Sequence, residues 1–160
     1  MGSLPINASG TISLSENASV ALDPAGSADG KYTGITVTGT AGAALAFGDL
    51  VVLDVTDSRW ELASVSAAAA ADGDCRGMIG MCVLAAAADG NATTILLHGI
   101  IRADANFPAL TVAAPVYATT TGDITGTQPS TTDHIIRVVG FALTADEIYF
   151  NPSKDYITRT

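Results

Sequence analysis

The chain has 160 residues, 16 acidic against 7 basic, for a net charge of −9, and only 14 % of it is charged. Acid excess without a Lys/Arg cluster (Arg76, Arg102 and Arg137 stand alone) argues against a nucleic-acid partner, which needs a basic footprint. No window approaches the roughly twenty apolar residues of a membrane-spanning helix, and the 48 % hydrophobic content is largely alanine with 6 % aromatics, so the core is expected to be thin and some surface to be covered by identical copies.

Residues 1–40 read as an extended amino-terminal arm, and residues 41–160 as a β domain. The opening "MGSLPINASG" carries neither the basic region nor the apolar run of a signal peptide. The rest of the arm is rich in Ser, Thr, Gly and Ala and too poor in large apolar side chains to bury much on its own. Two weak strands are expected in it, Thr11 to Leu22 and Tyr32 to Thr38, separated by a Pro/Gly/Asp turn. Ile12, Leu14, Val20 and Leu22 are its candidate partner-binding residues, and Trp60 of the β domain is a fifth.

The texture changes at "AFGDLVVLDVTDSRWELAS". A strand from Leu50 to Val55, a Thr-Asp-Ser turn and a second strand through Trp60 and Leu62 make a β-hairpin. Period-two alternation puts Leu50 and Val52 on one face, and these two with Trp60 and Leu62 are expected in the interior or at a subunit contact. Further short apolar runs follow: "GMIGMCVLA", "TTILLHGIIRA", "APVYATT", "HIIRVVGFAL" and "EIYFN". Each is bounded by turn-forming residues, which predicts a mainly β fold, a small sandwich or barrel.

Two alanine runs interrupt this pattern. Ala85 to Ala88 lies between strand sequences and meets Asp-Gly-Asn, so it is expected to finish a strand and enter a turn, being far too short for a stable helix. Ala67 to Ala71 is open between a single helical turn and a tight turn. In the last hairpin, Ile135 to Phe150, the residues expected to be buried are Val138, Phe141, Ile148 and Phe150, with "NPSKDYI" ending the domain at the surface.

Residues able to do chemistry are scattered. His98 and His134 have no ligand partner at i+2 or i+4, and His98 reads as a hydrogen-bonded residue at a strand end. Cys75 and Cys82 lack zinc-site spacing, are too few for a disulfide framework, and suit a reducing compartment. Asp72-Gly73-Asp74 is too short for a calcium loop, and Asp54 and Asp57 read as turn residues. The triplets at Asn7, Asn17 and Asn91 reflect composition rather than glycosylation. No enzyme, metal or cofactor is expected.

Gly48 to Arg102 follows an order that resembles a known family. "GDLVVLD" is followed by Ser-Arg-Trp-Glu-Leu, an Ala/Gly/Asp link, "GMIGMCVLAAAADGNATTILLHG" and a short strand to Arg102. This looks like the lambda-type head decoration (capsid cement) proteins of tailed bacteriophages. The carboxyl end, "PVYATTTGDITGTQPSTTDHIIRVVGFALTADEIYFNPS", resembles a closing β pattern common in phage structural proteins and adds strands beyond the lambda-type chain. The resemblance implies a homotrimeric, β-tulip-like body on the outer surface of the virion, made in the host cytoplasm. Its partner would be the major capsid protein, to whose sheet the arm adds, clamping capsomers against internal DNA pressure. The alternative is a phage fibre or receptor-binding knob, which would expose an aromatic face; Trp60 is expected instead to be a core or interface ring.

Overall fold

The computed structural model describes residues 14–22, 28–66 and 73–160. The regular structure among them is all β. The strands are β1 (Lys31–Thr40), β2 (Leu50–Leu53), β3 (Trp60–Leu62), β4 (Ile79–Leu84), β5 (Ala92–Arg102) and β6 (Pro115–Ala118). They continue with β7 (Ile124–Thr125), β8 (Ile135–Ile136), β9 (Val138–Ala142), β10 (Glu147–Phe150) and β11 (Ile157–Thr158).

Nine strands form one sheet organised around β5. One edge of β5 carries β1 along its whole length. The other edge is shared: β4 pairs with its first half and β10 with its second. Two branches therefore leave the same strand, β4-β2-β3 and β10-β9-β6-β7. Their far ends curl back together, where the Leu50 N–H donates to Gly122 O (2.6 Å), the Gly122 N–H to Ala63 O (2.8 Å) and the Val65 N–H to Thr119 O (2.9 Å). The curled sheet is the barrel-like β body that the sequence predicts.

The main core fills the space between the branches, with Leu50, Val52, Met81, Leu96, Ile101, Val116, Val139, Ile148 and Phe150 all buried. A second cluster lies on the outer face of the β2-β3-β4 branch. There Val51, Trp60, Cys82 and Ile95 are roofed by Ala41, Leu45 and Ala86. Leu45 and Ala86 exchange backbone hydrogen bonds of 2.8 and 2.9 Å, so the second alanine run leaves β4 and ties down this roof without forming a helix. The small Ala86 side chain is what allows the two segments to approach while both stay buried. Ala67–Ala71 lies outside the described residues.

The β2-β3 hairpin buries both faces rather than one. Leu53 pairs with Trp60 and Val51 with Leu62, so Trp60 and Leu62 share the outer cluster while Leu50 and Val52 point into the main core. β2 stops at Leu53, not Val55, because the Asp54 carboxylate accepts the Thr56 N–H (2.5 Å), the Thr56 hydroxyl and the Asp57 N–H (3.3 Å). That side-chain turn diverts the backbone from the ladder.

The carboxyl hairpin corrects two assignments. Phe141 is 48 % exposed and Val138 half-buried, whereas Val139 and Ala142 are buried with Ile148 and Phe150. The cause is an irregularity against β6: Val116 pairs with Gly140 and Tyr117 with Val138, leaving Val139 as an extra residue that turns inward. "NPSKDYI" lies at the surface. The exposed tail returns, pairing Ile157 with Ile136 and Thr158 with Ile135 in a second small sheet.

Arg137 stands between β8 and β9 and is buried. Its guanidinium donates to Ser153 O (2.8 Å), Gly77 O (2.6 Å) and Cys75 O, joining the 73–77 loop to the carboxyl tail. Burial lowers its pKa.

Candidate assembly surface

The arm expected over residues 1–40 divides at Lys31. Lys31–Thr40 is not free: it pairs with β5 from Lys31↔Arg102 to Thr40↔Ala92. Why it docks there is local. Gly34 faces Gly99 across the ladder, with φ of 151° and 153°, and a Cβ on either would meet the other's backbone. Two glycines let the strands approach, and the register shifts directly afterwards, leaving Leu97 unpaired on β5.

Among the described residues β1 pairs only with β5, so its other edge is open. Edge strands in natural proteins are usually protected by Pro, Lys, brevity or a bulge on the edge itself. The ten residues "KYTGITVTGT" contain no proline and one charge, Lys31, at the very start, and the bulged residue belongs to β5. The strand also exposes apolar side chains: Ile35 at 64 %, Tyr32 at 44 % and Val37 at 37 %. Register places Ile35 beside His98, and Thr33 in a row through Ile100, Tyr149 and Phe141 to Pro115. The Tyr149 hydroxyl and His98 Nε2 are 2.9 Å apart with edge-on rings, so His98 is hydrogen-bonded as expected, but in mid-strand.

The other half of the surface is Leu14–Leu22. It forms no strand, correcting the expectation for Thr11–Leu22, whose first three residues, Ile12 among them, lie outside the described ones. A turn at Glu16-Asn17, with Asn17 at φ 62° and the Ala18 N–H on Ser15 O, reverses it. Leu14 is 53 % and Val20 75 % exposed, and Leu22 is half-buried. Trp60, by contrast, is 3 % exposed inside the protomer and presents no ring to a partner.

Polar groups elsewhere do not converge. No three His, Cys, Asp or Glu side chains among the described residues are grouped to hold a metal ion. Asp54 lines a shallow cleft with Asp74, Gly73 and Gly77. Hydrogen bonds from Thr56 hold the Asp54 carboxyl below its ordinary range. Burial pushes Asp74 up, but its contacts with Arg76 bring it below the usual value. Cys75 and Cys82 are buried free thiols, with Cys75 pushed up to about 11 by burial.

Sequence reasoning missed two features. The intramolecular partner of β1 was hidden because its side chains are bland, although the matched glycines in "KYTGIT" and "LLHGII" are a trace of it. Arg137 was read as an isolated base, although a lone charge inside "HIIRVVGF" marks a buried cation. No protein-family model, curated protein or solved structure matches the chain.

Proposed function

We propose that this chain is a non-enzymatic structural protein of a virion: a trimeric decoration protein that sits on the outside of a tailed-phage head and clamps neighbouring capsomers. The reading is carried by one observation. A β body presents a ten-residue edge that is unpaired among the described residues and, on the same chain, an exposed apolar segment that pairs with none of them. Strand addition uses main-chain hydrogen bonds for grip and tolerates Ser, Thr and Ala side chains. The order of strands from Gly48 to Arg102, which resembles the lambda-type decoration family, supplies the kind of particle. A clamp needs a stiff body and several simultaneous contacts, not a reaction centre, and avidity multiplies weak contacts by roughly 10²–10⁴. The receptor-binding alternative wants an exposed aromatic platform; Trp60 is buried and does not provide one, and the exposed Tyr32 and Phe141 are the rings it would have to use.

The test is binding to undecorated expanded heads, followed by sedimentation. Full-length protein stays with the heads, and protein lacking residues 1–22 is lost. Equal retention would refute strand addition by the arm, and failure of the full-length chain to bind would refute the decoration reading itself.

A further inference from the structure

Among the described residues each chain carries an unpaired edge and an unpaired segment, and the two are chemically matched. We infer that Leu14–Leu22 of one copy adds as a strand to the open edge of β1 in a second copy, so that arms pass head to tail around the assembly. The inference rests on reading the chain as an assembly protein, and it makes a second copy, rather than the capsid protein's sheet, the acceptor of Leu14–Leu22, so that the assembled copies together meet the head.

Three observations carry it. First, drawn out as a strand the segment sets Leu14, Glu16, Ala18, Val20 and Leu22 on one side, apolar but for Glu16, and Ser15, Asn17, Ser19 and Ala21 on the other; pairing opens the turn at Glu16-Asn17. Ile12 continues the apolar row in the sequence. Such alternation fits a half-buried strand, yet every residue from Leu14 to Ala21 is exposed in the single chain. Ile35 and Val37 of β1 are the exposed apolar side chains it would cover.

Second, charges fit. The chain is at −9, so most contacts between copies bring acids together. β1 carries only Lys31 and the segment only Glu16, so this contact sets opposite signs against each other.

Third, the entry to β1 favours exchange over folding back. The Gly30 N–H donates to Arg102 O (3.2 Å), and the Asp29 carboxylate accepts the Asp104 N–H (2.8 Å). The chain is thus anchored on the β5 flank as it enters β1, away from the open edge. Folding back onto its own β1 has to cross from that flank to the open edge within residues 23–28, whereas drawn out the same six residues can span about 20–22 Å to a neighbour. A donor and an acceptor at different places make a heterologous contact, which gives a ring where the rotation between copies closes, as the proposed trimer requires, and an open filament where it does not.

The experiment uses full-length chains carrying single new cysteines. One set bears Leu14→Cys, Ala18→Cys or Val20→Cys; the other, isotopically labelled, bears Ile35→Cys or Val37→Cys. All five sites are exposed, and the native thiols are buried. After mixing and mild oxidation, at least one combination gives a disulfide between unlike chains, identified by mass. In parallel, removal of residues 1–22 lowers the number of chains per sedimenting particle while the far-ultraviolet circular dichroism of the β body is retained. No inter-chain disulfide in any combination overturns the inference. So does closure of the matching double-cysteine chain into a disulfide-bonded monomer, or an unchanged number of chains per particle on truncation. Because no heads are present, these results stand apart from the binding test of the decoration reading.

Discussion

Gly99→Ala is the sharpest perturbation of the surface on which the functional reading rests. It adds one methyl group at the centre of the β1–β5 contact. A Cβ there would overlap the Thr33 carbonyl oxygen and stand 2.7 Å from Gly34 Cα and 3.0 Å from Thr33 C. All three atoms are backbone, so no rotamer change relieves the contact. The residue would also hold φ at +153°, which L side chains rarely adopt. Backbone strain of this kind costs about 1–3 kcal/mol and overpacking another 1–3 kcal/mol or so, for about 4 kcal/mol together. In a domain of this size that corresponds to a fall in Tm of about 8–16 °C. If β1 lifts off instead, the cost is capped at its docking energy, and hydrogen exchange shows which happens: Lys31–Thr40 amides lose protection while those of β2, β4 and β9 keep it. Gly90→Ala is the control, since Gly90 is also at positive φ (+82°) but a Cβ there meets nothing within 4 Å. If Gly99→Ala destabilises no more than Gly90→Ala, the close approach of β1 and β5 is wrong, and the open edge with it.

Trp60→Ala should cost about 3–5 kcal/mol by chemical denaturation, because the ring is buried in the outer cluster; an unchanged midpoint would mean it is exposed. Arg137→Ala should lose about 2–4 kcal/mol, since three carbonyls are left without their charged donor, and limited proteolysis should then release the carboxyl tail first. Ala113 is exposed at φ 65°, so Ala113→Gly should be neutral or stabilising by up to about 1 kcal/mol, and a loss of stability would contradict that backbone. The Asp54 carboxyl is held below its ordinary range, so its contribution is fully present above pH 3.8 and lost as pH falls through the folded value. The acid limb of a stability–pH profile should therefore flatten in Asp54→Asn, and an identical limb would remove that assignment.

The fold class was legible because short β-branched runs between turn residues survive any change of partner, and Leu50, Val52, Ile148 and Phe150 were read correctly on that basis. Errors arose where one residue shifts the phase. Val138 and Phe141, three residues apart, cannot share a face of a regular strand, and the extra Val139 takes the inward place instead, leaving Val138 half-buried and Phe141 exposed. Turn chemistry was underweighted at Asp54, whose side chain ends β2 two residues before the apolar run does. The β2-β3 hairpin misled differently: alternation is real, but the roof over Val51 and Trp60 comes from distant segments at Ala41, Leu45 and Ala86, which no local period reveals. Of the candidate partner residues, Leu14 and Val20 are exposed and Leu22 half-buried on the surface discussed above, Ile12 lies outside the described residues, and Trp60 belongs to the core.

The blandness of the arm has an energetic meaning. Fixing the nine residues from Leu14 to Leu22 costs about 1–2 kcal/mol each, or about 9–18 kcal/mol. Roughly nine strand hydrogen bonds return about 0.5–1.5 kcal/mol each, and burial of Leu14, Val20 and Leu22 about 1.5–3 kcal/mol each. The midpoints differ by about 2 kcal/mol in favour of pairing. One arm alone therefore binds weakly. That is the useful regime for a protein that must not aggregate through an unprotected edge before it reaches its partners. A more apolar arm would hold more tightly and would also pair with any edge in reach. A more polar one would never leave water. In the proposed trimer, several arms held at high effective concentration turn a marginal contact into a lasting one, so assembly is gated by the number of copies present rather than by the strength of any single strand.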